Sequence, residues 1–141
     1  MNPLLLSIHL QKGIMICPAI FYHQQRLTIA PRMVIDPGAS NTIIRPEIVM
    51  RLGIDITSNE IIRTITVAGA VEMSKVTLDQ IGVCEAHALN VDVLVGTIPE
   101  ELEIQGIIGY SFLKHFDYCV YYQKQEIVLT PNFKPLLNIN T

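Results

Sequence analysis

One acidic residue stands between two apolar runs in the first third of the sequence. Met33-Val34-Ile35 leads into Asp36, Pro37-Gly38 follows, and the small residues Ala39-Ser40 precede a second apolar run. A carboxylate at the end of a strand lies at the mouth of a sheet or barrel, where partial burial can adapt it to acid/base chemistry. Asp36 is therefore the candidate functional residue.

The same three residues, Asp36-Pro37-Gly38, also have a purely structural explanation. Proline presets φ for a turn, glycine accepts a positive φ, and an aspartate side chain can accept a hydrogen bond from the backbone two residues on. Taken alone, the tripeptide thus favours an ordinary turn. A second stretch further along the chain favours the functional interpretation.

That second stretch is Ile107-Ile108-Gly109, followed by a segment, Tyr110 to Phe116, for which we expect a short helix. Together the two stretches resemble the retropepsin-like aspartic proteases, the single-lobed relatives of retroviral proteases. In that family an apolar strand ends in Asp-Thr/Ser-Gly-Ala, and a later apolar pair plus glycine packs behind it before a short helix. The order and separation of the two stretches fit, and the resemblance covers roughly residues 14 to 130.

The resemblance implies an all-β, closed acid-protease-like barrel with one or two short helices, formed as a single lobe and a single domain over residues 1–141. It implies an aspartic endopeptidase that hydrolyses peptide or protein substrates without a metal or cofactor. One Asp-x-Gly-Ala motif per chain further implies a homodimer in which each subunit contributes Asp36. Pro37, Gly38, Ala39 and Ser40 would form the active-site loop, and Ile107, Ile108 and Gly109 would support it.

Pro37 departs from the family pattern. The family's Thr or Ser at this position bonds across to the other subunit through its hydroxyl and its backbone, and proline has neither the hydroxyl nor the N–H. The alternative function is therefore a proteolytically inactive dimer of the same fold that binds extended peptides.

The segment Ala68-Gly69-Ala70 lies between two strand-like runs, Ile61 to Val67 and Val71 to Ile81. By resemblance it is the tip of the flap, the hairpin that folds over substrate, and Gly69 would permit unusual φ and close approach to a peptide. A plain tight hairpin is the alternative, because Ala-Gly-Ala does not distinguish the two.

Composition restricts the partners and the location. Half of the residues are apolar and 16% are charged, which is typical of a folded domain. So high an apolar content also predicts that a partner, such as a second copy of the chain, covers some apolar surface. The net charge is −3, and the basic residues do not cluster in the sequence. We therefore expect neither nucleic acid nor membrane as a partner. The three cysteines are widely spaced, which predicts buried free thiols in a reducing, cytoplasmic location.

The remaining elements are predicted from turn residues and apolar spacing. Turns are expected near Gly13 and Gln24, with Pro18 and Pro31 at strand edges or bulges. The other predictions are a first strand within Met1–Leu10, a helix within Arg45–Gly53, separate strands at Val83–Ala88 and Leu89–Val95, and a terminal hairpin of Asp117–Tyr122 with Glu126–Thr130.

Overall fold

The fold is built almost entirely from β-strands. The computed structural model describes residues 2–66 and 69–132. Within these residues the strands are β1 Leu4–Ser7, β2 His9–Gln11, β3 Ile14–His23, β4 Arg26–Ile35, β5 Thr42–Ile44, β6 Glu60–Thr66, β7 Gly69–Val83, β8 Ala86–Val95, β9 Gly106–Ile108, β10 Phe116–Tyr121 and β11 Glu126–Pro131. Two short helices, α1 Pro46–Arg51 and α2 Tyr110–Leu113, lie between strands. No helix in the described ranges has the length and apolar content needed to cross a bilayer.

The strands form two sheets. A three-stranded sheet has the order β1-β11-β10, and an eight-stranded sheet has the order β2-β3-β4-β9-β5-β8-β7-β6. A further antiparallel pairing of β3 with β7 makes the larger sheet fold back on itself. The predicted all-β, single-lobed architecture is confirmed, but it is not one formally closed barrel, because the terminal strands form a sheet of their own and β2 and β6 extend past the folded-back part.

The long β3–β4 hairpin carries the chain into Asp36. Its register runs from His23↔Arg26 to Ile16↔Val34 and shifts between Cys17 and Ala19. Pro18 lies at that shift and Pro31 lies opposite it, so the two prolines are found at a β-bulge as predicted. A bulge accepts a residue that cannot donate to the ladder.

The core fills the space between the folded-back sheet and the two helices. Phe21, Phe112 and Met33 are fully buried and are among the largest side chains there. Helix α1 covers one side, with Pro46 at its start, Glu47 in its first turn and Gly53 just beyond its end at φ +74°. These are the start and stop residues from which the helix was predicted.

Four predictions about local structure were wrong in detail. The first strand is two strands, β1 and β2, which belong to different sheets. The strands expected at Val83–Ala88 and Leu89–Val95 are instead the end of β7 and the single strand β8, because the chain turns at Cys84-Glu85. Helix α2 ends at Leu113, since Phe116 already begins β10.

The fourth concerns the thiols. All three cysteines are free, as predicted, but only Cys17 is buried, whereas Cys84 and Cys119 are exposed. Cys84 lies in a surface turn, and Cys119 lies on an exposed part of β10. The low polarity of a cysteine side chain does not by itself determine whether it is buried.

Candidate active site

Asp36 is the first residue after β4, and its position is set by hydrogen bonds on both sides. Its N–H donates to the carbonyl of Ile108 at 2.9 Å, which continues the parallel pairing of β4 with β9. Its carbonyl accepts from the Ala39 N–H at 3.1 Å, which closes the loop as a tight turn. The residue is half-buried, so the carboxylate is anchored by the sheet and still reaches solvent.

One carboxylate oxygen of Asp36 is already engaged. The Gly38 N–H donates to Oδ1 at 2.9 Å, while the other oxygen receives no hydrogen bond from any residue in the described ranges. The turn chemistry expected of Asp-Pro-Gly is thus present, and it orients the carboxylate. One oxygen therefore remains available for a proton, a water molecule or a second carboxylate.

The Asp36 loop is fastened to the second motif by three further hydrogen bonds. Tyr110 N–H donates to the carbonyl of Ala39 at 2.8 Å, and Gly109 N–H donates to Thr42 Oγ1 at 3.1 Å. Thr42 N–H in turn donates to Ser111 Oγ at 3.1 Å. Neither Thr42 nor Ser111 is identifiable from the sequence as a supporting residue, because a hydroxyl that hydrogen-bonds to a loop leaves no spacing pattern.

Position 109 requires a glycine, because the backbone of the segment after Asp36 passes very close to it. A Cβ at this position would overlap the carbonyl oxygens of Asn41 and Ala39, both in the segment that follows Asp36. The absence of a side chain thus lets the second motif pack directly against the loop. Ile107 pairs with β4 before the loop and with β5 after it, whereas Ile108 pairs with β4 alone.

The β6–β7 hairpin extends beyond the rest of the larger sheet. Its register runs from Thr66↔Gly69 to Glu60↔Lys75, while the pairing of β7 with β8 begins only at Ser74. Gly69 adopts φ +118°, a conformation that glycine accepts readily. Ala70 lies beside it at the start of β7, whereas Ala68 and Val67 lie outside the described residues.

A cavity of about 300 Å³ joins this hairpin to the end of the Asp36 loop. Ile62 and Lys75 line it from the hairpin, Ser40 from the loop, and Tyr110 and Lys114 from α2 and the residue after it. Asp36 is not among its lining residues. The structure therefore brings Ser40, four residues after Asp36 in the chain, and the hairpin around one space.

Metal-ligating side chains do not gather at this site. Across residues 2–66 and 69–132, no three His, Cys, Asp or Glu residues form a group that could hold a metal ion.

The arrangement defines a class of protein: a single β-rich lobe that presents one Asp-bearing loop braced by a glycine motif. A solved structure with this fold is a retropepsin-like aspartic protease from Rickettsia conorii, which matches with a TM-score of 0.65 and 22% sequence identity over 91% of this chain and 89% of that one. A family model described as aspartyl protease matches residues 25–112, which include both motifs. The chain belongs to this aspartyl protease family. A search of curated proteins found no match.

Proposed function

We propose that this protein is an active aspartic endopeptidase that works as a two-fold symmetric homodimer, with one Asp36 from each subunit. The observation that carries the proposal is the Asp36 carboxylate itself: it is half-buried, held through one oxygen by Gly38, and placed on a loop fastened to the second motif. Membership of the aspartyl protease family supports the same assignment.

A single carboxylate cannot supply both proton transfers that amide hydrolysis requires. One group must take a proton from the attacking water while another protonates the carbonyl oxygen of the peptide. Two carboxylates about 3 Å apart cannot both ionise, so they share one proton and supply the base and the acid together. Asp36 occurs in the only Asp-x-Gly-Ala motif of the sequence, so the second carboxylate comes from a second copy.

The loop is accessible to such a partner. Gly38 is exposed, Pro37 is half-buried, and Tyr110 beside the loop keeps 59% of its surface exposed. In a dimer with a two-fold axis through this region, the same surface of each subunit contacts its counterpart. A single interface therefore positions both Asp36 loops, and no second motif in the chain is needed.

Substrate would lie extended between the paired loops and the β6–β7 hairpins. Ile62 and Met73 lie on the half-buried face of the hairpin, and Ile62 reaches the cavity beside Ser40. An extended peptide gains affinity from main-chain hydrogen bonds and selectivity from such apolar recesses. Gly69 and Ala70, with Ala68, would form the hairpin tip over the peptide.

Asp36→Asn tests this function directly. Asparagine keeps the oxygen that accepts from Gly38 N–H but can neither take nor share the proton, so peptidase activity should fall by at least about 1,000-fold. The assay is cleavage of an unfolded protein or a peptide library between acidic and neutral pH, where a pair carrying one proton is active. Asp117→Asn, which changes an exposed aspartate on β10, is the matched control.

Cleavage that persists in the Asp36→Asn protein would contradict the mechanism. A wild-type protein that binds peptides without cleaving them at any pH would instead support the inactive dimer that Pro37 suggests.

A further inference from the structure

Two cysteines that are far apart in sequence meet at the surface of the core. Cys17 Sγ lies 3.3 Å from Cys84 Sγ, although 67 positions separate the residues. Cys17 is on β3 next to the bulge, and Cys84 is in the turn between β7 and β8. The third cysteine, Cys119, is on β10 in the other sheet.

The backbones around the two thiols are already held together. The pairing of β3 with β7 reaches Ile20↔Gly82, two residues before Cys84. Neither cysteine is itself part of this pairing, since Cys17 lies three residues before Ile20, but paired antiparallel strands hold their Cα atoms about 4.5–5.5 Å apart and so keep the two adjoining segments close. Two sulfur atoms in contact beside such a pairing can bond with little movement of the chain.

We propose that Cys17 and Cys84 form a redox modification site, which a hydroperoxide converts into an intramolecular disulfide. The exposed Cys84 reacts first. Its thiolate attacks the peroxide, the O–O bond breaks, and Cys84 becomes a sulfenic acid while the second oxygen leaves as water or an alcohol with the proton of the thiol.

The second step closes the bond. Cys17 sulfur attacks Cys84 sulfur, the S–O bond breaks, and the departing hydroxide leaves as water with the Cys17 proton. The two thiols together lose two electrons, which the hydroperoxide gains. In a reducing compartment the pair returns to thiols by exchange with a small thiol.

Burial fixes the order of these steps. Cys17 has no exposed surface, and burial, with the adjacent Cys84 as a smaller cause, raises the pKa of the Cys17 thiol far above its usual range. Since the thiolate is the form that attacks a peroxide, Cys84 is the residue that meets the oxidant, and Cys17 is the residue that resolves the sulfenic acid.

The disulfide would close a loop that contains both the Asp36 loop and the β6–β7 hairpin. Cross-linking so long a loop removes conformational freedom from the unfolded chain, and for a chain of this size the melting temperature should rise by about 5–12 °C. The inference does not depend on whether the protein cleaves peptides.

The experiment treats the folded full-length protein with hydrogen peroxide, then counts thiols in denaturant and measures mass before and after reduction. In denaturant, wild-type protein should remain a monomer and should have lost two of its three thiols, with a decrease of about 2 Da in mass. A dithiol reductant should reverse the rise in melting temperature. Cys119→Ser should still lose 2 thiols, its only two. Cys84→Ser should form no intramolecular link; this substitution at an exposed position avoids disturbing the core around Cys17.

Other outcomes would overturn the inference. One is a Cys119→Ser protein that keeps both of its thiols after treatment with peroxide. Another is a disulfide that forms only between molecules, or between Cys17 and Cys119. The last is irreversible oxidation of Cys84 without any disulfide.

Discussion

At the scale of single residues, a backbone N–H holds the Asp36 carboxylate, and two hydroxyl groups hold the segment that follows it. Gly38 fixes one oxygen, Ile108 fixes the main chain, and Thr42 and Ser111 connect the following segment to α2. A carboxylate held in this way can keep its geometry when a water molecule or a second carboxylate approaches, which is what preorganised catalysis requires.

Thr42→Val should destabilise the fold, because Thr42 is fully buried and its hydroxyl is the acceptor for the buried Gly109 N–H. Valine has nearly the same shape but leaves that donor unsatisfied, at a cost of about 1–3 kcal/mol. Urea denaturation measures the loss. Thr130→Val, at an exposed position on β11, is the control and should change stability by less than about 0.5 kcal/mol. Equal stability of the two variants would contradict the role given to Thr42.

The sequence identifies some of these residues and not others. Asp36, Gly38 and the Ile107-Ile108-Gly109 motif could be selected because acidic, glycine and apolar residues occur in a recognisable order. Thr42 and Ser111 could not, because their role depends on two segments that meet only in the folded chain.

At the scale of elements, two three-residue strands hold the site. β9 lies between β4 and β5, and its two ends make different contacts: Gly109 meets the Asp36 loop, while Gln105, just before the strand, bonds with both Arg32 and Arg45. Strands this short gain little from their own ladder. Contacts at both ends therefore keep the second motif in place.

Arg45 contacts the end of β9 that is remote from Asp36. Its guanidinium donates to the carbonyls of Ile98 and Ile104, each at 2.6 Å, and of Pro99 at 3.1 Å. Arg45→Lys should cost about 1–2 kcal/mol, since an ammonium cannot span three carbonyls as the planar guanidinium does. Thermal denaturation measures the cost, and amide exchange of Leu102 and Glu103 reports local opening.

Arg51→Lys is the control for that experiment, because Arg51 is an exposed residue at the end of α1. If both lysine variants were as stable as the wild type, with unchanged exchange, Arg45 would not be what holds the 98–104 segment.

Elements were predicted best where consecutive polar residues, or a proline and a glycine, interrupt the apolar pattern. The β3–β4 turn, helix α1 and the β10–β11 hairpin were placed correctly from Gln24-Gln25, from Pro46 with Gly53, and from Gln123-Lys124-Gln125. The β7–β8 turn was missed because Cys84-Glu85 has no turn signature, although Cys84 adopts φ +50°. Here the pairing of two long strands overrides local preference.

At the scale of the whole molecule, the proposed function depends on a second copy. The all-β fold and the family could be predicted from the sequence, because two motifs in order specify them. The division into two sheets and the folding back of the larger one could not, since the strand pairings of β1 with β11 and of β3 with β7 depend on contacts remote in sequence.

Pro37→Thr should strengthen dimerisation. Threonine restores the N–H and the hydroxyl that the family uses across the two loops, and at ~1 kcal/mol for each bond the dissociation constant should fall by about tenfold or more. Sedimentation equilibrium measures it. Pro37→Ala restores the N–H alone and separates the two contributions. Association as weak as that of the wild type, or weaker, would contradict this explanation of Pro37.

The most direct measurement is the distance between the two Asp36 carboxylates across a two-fold axis in a crystal of the unmodified protein. A homodimeric peptidase predicts that the carboxylates face each other at about 3 Å, beneath the two β6–β7 hairpins. Carboxylates that point apart, or subunits that associate through another surface and leave each Asp36 alone, would contradict the proposed mechanism.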